Sequence, residues 1–282
     1  MLCLVYLCIG HIDIELLTTS PGNHQSAAQY DDYVFFVSDR RNNIYMYNIR
    51  DKRNVYTIKL HKEEAKDYSG ATLYHCNQTS FSTIFYEKND PFPLLYVSQR
   101  ANSDLRCFTE VYRIIPTKGD STEYKSCKVD LIQTIYFPTM NDDNSLGNVN
   151  VVFDFENDAM YTYSRNNKKK ASNYLQCKIS CFNIPEIKRK DVYLEDQDIN
   201  DSFIIDCSAL YMQGACINNR KLYIAQGSAK DPVIRIIDLK KKKLKKTIYL
   251  KTYNYIFEPE GYFWYNGKLF LSSAKYIHQI EL

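Results

Sequence analysis

The sequence of 282 residues lacks the features that mark several common classes of protein. No apolar run reaches the roughly 18–20 residues that a membrane-spanning helix requires. Lys and Arg number 36 against 33 Asp and Glu, a formal charge of +3, which argues against the concentrated basic face of a nucleic-acid-binding protein. No glycine-rich phosphate loop, GxSxG or HExxH motif occurs. We therefore predict neither a transmembrane segment nor a nucleic-acid partner.

The nine cysteines do not form a disulfide or metal pattern. Their number is odd, no CxxC pair is present, and no histidine flanks them at zinc-finger spacing. Most of them stand inside strand-like runs, where a free cysteine behaves as a small apolar side chain. We predict buried thiols, with one or two disulfides as the alternative, and neither a metal site nor a cofactor.

The first ten residues leave two interpretations open. Residues 1–9 are apolar but lack the basic start and small-residue cleavage site of a signal peptide. They are either the remnant of a leader or a first buried strand, so the sequence leaves both an exported or cell-envelope location and a cytoplasmic one open. Residues 11–282 are predicted to form a single domain.

Tyrosine and phenylalanine are abundant, with 25 and 14 residues against a single tryptophan, and both residue types favour β-strands. The strand-like segments repeat. Each copy begins with a polar residue, here called the anchor, followed by a small residue, a short apolar stretch, a turn and a second strand. Three copies start at Gln25, Gln213 and Glu260, and in each the second strand begins 9 residues after the anchor. Looser copies start at Gln78 and Asn150.

Third and fourth strands follow most of these pairs, and residues 191–195 are assigned as the fourth strand of the third copy. The anchors are spaced 53, 72, 63 and 47 residues apart. Four antiparallel strands per unit at this spacing are typical of propeller blades. The last copy offers three strands, and residues 11–17 supply the missing outer one. We predict an all-β, five-bladed β-propeller closed by its N-terminal strand, with six blades as an alternative because of the long gap between Gln78 and Asn150.

The segments HQSAAQYDDYVFFVSD, MQGACINNRKLYIAQG and FEPEGYFWYNGKLFLS carry a family resemblance. They resemble uncharacterised propeller proteins of Bacteroidales-type gut bacteria from about His24 onward. The segments at Gln213 and Glu258 are more distantly similar to the teichoic-acid-biosynthesis-protein-C and helveticin-like propellers. Both resemblances imply a propeller, and neither implies a settled activity.

The anchors stand in the strands that border the central channel of a propeller, so we expect their side chains to converge near the axis. Their neighbours His24, His75, Asn77, Asn148 and Glu258 are expected at the same entrance. Arg100 and Arg165 follow second strands and are candidates for a rim that binds an acidic group. A ring of amides with one or two carboxylates suits a small polar or glycan-like ligand. The alternative is a structural ring that satisfies backbone groups and water.

A carbohydrate-active hydrolase or lyase is the alternative function, with Glu258 or Glu260 as the acid/base and His24 or His75 assisting. Glycoside hydrolysis uses two carboxylates about 5–10 Å apart. Here both acids come from one blade, three other blades offer amides, and Asp154 is the one further acid near the axis. We therefore predict a non-enzymatic binding or interaction scaffold, a monomer, that recognises a small polar or glycan-like ligand or a partner protein.

Overall fold

The structure is a computed structural model that describes residues 13–19, 24–38, 43–60, 76, 78–99, 107–118, 124–138, 149–166, 176–208 and 211–281. These ranges contain 21 β-strands and two short 3-10 helices, at Asp196–Asp198 and Leu250–Tyr253. The strands form five separate sheets arranged around a common axis. The predicted all-β, five-bladed propeller is confirmed. No helix in these ranges is long and apolar enough to cross a membrane.

The first three blades are described from the axis outward. Blade 1 contains β2–β5, at His24–Tyr30, Tyr33–Ser38, Asn43–Asn48 and Arg53–Lys59. Blade 2 contains β6–β9, at Gln78–Phe81, Leu95–Gln99, Phe108–Lys118 and Tyr124–Tyr136. Blade 3 contains β10, β11, β12 and β14, at Asn150–Asp154, Ala159–Asn166, Gln176–Phe182 and Ile199–Ser208. All neighbouring strands within these four-stranded units are antiparallel.

The last two blades close the ring. Blade 4 contains β15–β18, at Met212–Asn218, Lys221–Gln226, Val233–Asp238 and Lys243–Tyr249. Blade 5 contains β19–β21, at Gly261–Tyr265, Lys268–Ser272 and Tyr276–Glu281, and its outer strand is β1, Asp13–Thr19. Strand β1 pairs antiparallel with β21, from Asp13 opposite Glu281 to Thr19 opposite Tyr276. The two ends of the chain thus share one sheet, as predicted.

One strand was assigned to the wrong blade. Residues 191–195 were predicted to be the fourth strand of blade 3, but that place is taken by β14. The segment instead forms β13, Val192–Tyr193, which pairs parallel with the outer edge of β9 in blade 2. The Tyr193 ring stacks on Tyr136 with centroids 4.7 Å apart. A contact between blades therefore decides where this short segment lies.

Each pair of neighbouring blades encloses one apolar cluster, so the core consists of five layers around the ring. Aromatic side chains fill these layers. Phe35 meets Phe81 between blades 1 and 2 at 5.2 Å, and Tyr96 meets Phe153 between blades 2 and 3 at 4.6 Å. Facing sheets lie about 10 Å apart, a gap that rings fill well. The high tyrosine and phenylalanine content is thus explained by the packing between blades.

The hairpin turns follow from local sequence. Asn219 and Arg220 both have positive φ, as do Asn266 and Gly267. Two consecutive residues of this kind make the type I′ turn, whose twist matches that of the flanking strands. All seven cysteines in the described ranges are free, and five of them are buried. This agrees with the predicted thiols; Cys3 and Cys8 lie outside the described residues.

Candidate functional site

The five anchors lie in one layer at the start of the innermost strands. Gln78 and Asn150 begin β6 and β10, Gln25 and Gln213 are the second residues of β2 and β15, and Glu260 directly precedes β19. We call these anchors and the residues directly after them, which are Ser26, Thr79, Val151, Gly214 and Gly261, the anchor layer. Of the other predicted site residues, Arg165 lies in β11 opposite Cys177. His75, Asn77, Arg100 and Asn148 lie outside the described residues.

The Gln78 side chain connects strands across the axis. It is fully buried. Its Nε2 donates to the carbonyl oxygens of Thr79 (2.9 Å) and Ala215 (3.0 Å), and its Oε1 accepts from the Ala215 N–H (2.7 Å). The amide of Gln78 therefore pairs with the peptide group of Ala215 on both sides, as a neighbouring strand would. Its hydrogen-bonding capacity is used by the protein itself.

Two hydroxyl groups complete this network. Ser26 Oγ accepts from the Thr79 N–H (2.9 Å) and donates to Gln78 Oε1 (3.3 Å). The Tyr163 hydroxyl donates to the Gln213 carbonyl (2.5 Å) and also lies 3.2 Å from Gln78 Oε1. Burial raises the pKa of Tyr163 well above its usual value, so the hydroxyl keeps its proton and remains a donor. Groups from blades 1, 2, 3 and 4 thus meet at one point.

Two glycines let the strands approach closely enough to close the axis. A Cβ added to Gly214 would lie 2.6 Å from the Glu260 carbonyl oxygen and 2.9 Å from Ser26 Oγ. A Cβ added to Gly261 would lie 2.8 Å from the Ala27 nitrogen. The Gly214 N–H donates to the Glu260 carbonyl at 2.7 Å. The anchor layer is therefore a packed floor across the channel.

The remaining described anchors and their neighbours are less uniform. Gln213 is partly exposed, and its Nε2 donates to Glu258 Oε1 at 3.1 Å. Glu260 is buried, and its backbone N–H donates to the Ser272 carbonyl. His24 is buried and stacks on Phe36 with centroids 4.4 Å apart. Burial lowers the pKa of His24 to about 3, so its ring is neutral near pH 7.

A cavity of about 220 Å³ lies on the axis directly beyond the anchor layer. We call it the axial cavity. Its wall is formed by the later residues of all five innermost strands and by the hairpin turns that follow two of them. Small side chains at Ala27, Ala28, Ser80 and Ala215 leave the space open. In each blade the wall begins one or two residues after the anchor, so the anchors form the floor of the cavity.

The wall of the axial cavity combines aromatic and polar groups. Its rings include Phe155, which is 49% exposed, and the partly exposed Trp264. Its polar groups include Asp154, Glu156 and Asn218. Both oxygens of Asp154 accept hydrogen bonds, from the Glu156 N–H (3.2 Å) and from Asn157 Nδ2 (2.7 Å). The wall thus offers apolar surface and hydrogen-bonding groups within one small space.

None of the described residues that are predicted to bind a ligand lines the axial cavity, whereas Asp154, the further acid expected near the axis, does. The missed signal is the segment from Asp154 to Asp158, in which a turn carries three acidic residues and an exposed phenylalanine. No group of three His, Cys, Asp or Glu side chains that could hold a metal ion occurs in the described ranges.

Comparisons with known proteins support the fold. No family model and no curated protein matches the sequence. The chain is similar in structure to the PQQ-bound aldose sugar dehydrogenase of Streptomyces coelicolor, with a TM-score of 0.52 and 10% identity over 96% of this chain and 98% of that one. A putative glucose dehydrogenase of Thermus thermophilus gives 0.51 and 8%, over 96% and 100%. The fold, rather than an activity, is what this likeness shows.

A protein of unknown function from Bacteroides caccae is also similar in structure, with a TM-score of 0.45 and 9% identity over 92% of this chain and 82% of that one. A specific relationship with Bacteroidales-type or teichoic-acid-type propellers stays a prediction, because no sequence comparison supports it.

Proposed function

We propose that this protein is a non-enzymatic binding module that holds one small polar ligand in the axial cavity. The observation that carries the proposal is the cavity itself, about 220 Å³ in volume, closed on one side by the anchor layer and bordered by all five blades. Ligand sites are concave, mostly apolar, and carry a few converging polar groups. The wall of rings and carboxylates has this composition.

The size of the cavity limits the ligand. Sites for drug-sized molecules usually measure about 300–1,000 Å³, so a cavity of about 220 Å³ suits a ligand or ligand group of monosaccharide size or smaller. A rim of partly exposed polar groups, including Gln29 and Asn218, would bind the polar end of such a molecule. The rings of Phe155 and Trp264 would cover its apolar face.

The contacts of the carboxylates agree better with a binding role than with hydrolysis. The Asp154 carboxylate accepts two hydrogen bonds that shape its own turn. Glu258 accepts from Gln213, on the other side of the anchor layer from the axial cavity. Glycoside hydrolysis requires two carboxylates that flank one bond. Asp154 and Glu258 instead serve separate local contacts.

A thermal-shift screen tests the proposal. The panel contains aldoses, uronic acids, short alkylamines and divalent metal salts, each against the wild type and Asn218→Trp, which places an indole at the cavity rim. A ligand at 100 times its Kd stabilises the folded state by about 2.7 kcal/mol, which raises Tm by several degrees in a chain of this size. We expect at least one compound to shift the wild type and not Asn218→Trp.

Gln213→Ala is the matched variant on the other side of the anchor layer. A ligand shift that survives Asn218→Trp and disappears in Gln213→Ala would move the binding site to the anchor end of the axis. No shift with any compound would contradict the small-ligand proposal. A partner protein would then be sought by pull-down.

A further inference from the structure

The charge on the wall of the axial cavity has one sign. Among the residues that form the wall, the charged ones are Asp154 and Glu156. The neighbouring hairpin turns add Asp31, Asp32 and Asp158. Within the described ranges, Asp32 is paired with Arg50 at 2.8 Å. The wall of the cavity is therefore acidic, although Arg220, which forms one hairpin turn together with Asn219, adds a basic residue beside it.

Asp154 is a buried carboxylate that carries no ion pair in the described part of the chain. It is 1% exposed, and its two hydrogen bonds come from neutral donors in its own turn. A buried charge is costly unless it is paired with an opposite charge as well as hydrogen-bonded. A positively charged group in the cavity would supply that missing partner. Glu156, which is exposed on the rim, also makes no ion pair in the described residues.

The aromatic rings favour the same kind of ligand. Phe155, which is 49% exposed, stands between Asp154 and Glu156 in the sequence, and all three residues belong to the wall of the cavity. An ammonium or guanidinium group within about 6 Å of a ring centroid is attracted by the face of that ring. Trp264, whose indole is the strongest ring type for this interaction, contributes to another part of the wall.

This inference rests on the proposed function and names its ligand. We propose that the axial cavity binds a small organic cation, a molecule with an ammonium or guanidinium head on a short apolar stem. The head lies between Asp154 and Glu156, and the stem lies against Phe155 and Trp264. A metal ion fits less well, because the described residues hold no cluster of three metal-binding side chains and aromatic rings form part of the wall.

Isothermal titration with a matched pair of probes tests the charge requirement. n-Butylammonium and n-butanol share a four-carbon stem and differ in the charge of the head. We expect n-butylammonium to bind at least tenfold more tightly, and its binding to weaken severalfold when salt is raised from 50 to 500 mM, because salt screens exposed charges. n-Butylguanidinium tests the guanidinium head, and glucose and glucuronate test neutral and anionic ligands.

Two variants test the residues. Glu156→Gln removes one exposed charge at constant size, and we expect it to weaken n-butylammonium binding about tenfold with an unchanged melting temperature. Glu186→Gln is the matched control, because Glu186 is an exposed acid on an outer loop that pairs with Lys188. It is expected to bind as the wild type does. Phe155→Leu keeps an apolar side chain without a ring, and should weaken the ammonium more than butanol.

The outcomes separate the two proposals. Equal binding of n-butanol and n-butylammonium, or tighter binding of glucuronate, would overturn the cation inference while a ligand site that Asn218→Trp blocks would still stand. Failure of every probe to bind would contradict both. The last probe is a tripeptide that contains lysine or arginine and is acetylated at its N-terminus, so that the basic side chain keeps its charge. Binding tenfold tighter than that of the free amine would identify a basic side chain as the source of the cation, whereas equal or weaker binding would identify a free amine.

Discussion

In the anchor layer the Gln78 amide is buried and hydrogen-bonded to the protein through both its nitrogen and its oxygen, whereas beyond the other end of the innermost strands Glu156 is exposed to solvent. The anchor layer is packed so tightly that two of its positions have no room for a Cβ. The axial cavity next to it is kept open by alanines and a serine. Polar residues near the axis therefore fall into two groups, those that hold the anchor layer together and those that we propose to bind a ligand. The number of hydrogen-bond partners that a residue has within the protein distinguishes the two groups.

The glycines give the largest expected difference between these regions. Gly214→Ala would bring a Cβ to 2.6 Å from a backbone oxygen, and backbone cannot move aside cheaply. We expect a loss of about 4 kcal/mol or more in the free energy of unfolding, or failure to fold. Denaturant unfolding monitored by circular dichroism measures it.

Gly267→Ala is the matched variant at the cavity end of the axis. Gly267 has φ +74° but open space around its Cβ position, so the change costs backbone strain without a clash, about 1 kcal/mol. Equal losses for the two variants would show that the anchor layer is not packed as described.

Gln78→Ala tests the hydrogen-bonded network. It leaves the N–H and C=O of Ala215 without their partner in a buried site, and each unsatisfied group costs about 1–3 kcal/mol. We expect a loss of about 3–4 kcal/mol in urea unfolding. Gln29→Ala, which removes a partly exposed amide from the wall of the cavity, is expected to change stability by less than about 0.5 kcal/mol. A small effect of Gln78→Ala would return this residue to the candidate ligand-binding set.

His24, at the start of β2, provides a test by pH. In the unfolded chain a histidine takes up a proton near pH 6.5, whereas burial lowers the pKa of His24 in the folded protein to about 3. The unfolded state binds more protons between these values, so stability is complete above about pH 6.5 and falls as the pH is lowered. At pH 5 the loss attributed to His24 is about 2 kcal/mol.

His24→Phe keeps a ring on Phe36 and removes the titration. We expect the free energy of unfolding to fall less between pH 7 and 5 in this variant than in the wild type. Some dependence of the same sign should remain, because burial also lowers the pKa of His278 to about 4. Identical pH profiles for the two proteins would show that His24 is not buried as a neutral ring.

The features that repeat in every blade are the ones that the sequence predicts well. The anchors recur in all five blades, and a short offset to the second strand recurs in all but blade 2, because each innermost strand meets the same packing at the axis. The spare strand at 11–17 predicts the closure seen in β1. Strand β13 was assigned wrongly because two residues carry little local preference, and pairing with β9 decides their position.

The axial cavity could not be found from repeats for the opposite reason. Its wall takes a different residue from each blade, such as Gln29, Ser80, Asp154, Asn218 and Trp264. A pocket that recognises one ligand is asymmetric. Its residues therefore differ from blade to blade, whereas the residues that hold the scaffold together are similar in each blade. Blade-to-blade differences at the ends of the innermost strands are therefore the better signal for such a site.

The smallest expected effect is that of a change at Gln213. This anchor is partly exposed, and its side chain makes one described hydrogen bond. Gln213→Ala removes the bond from Nε2 to Glu258, and a bond of this kind contributes about 0.5–1.5 kcal/mol. Because the site is partly open to water, we expect a loss of at most about 0.5 kcal/mol and unchanged binding in the axial cavity. Urea unfolding measures the loss of stability, and the thermal-shift screen measures ligand binding. A loss as large as that of Gln78→Ala would make all anchors one structural layer, whereas lost binding would extend the ligand site through the floor to the anchor end.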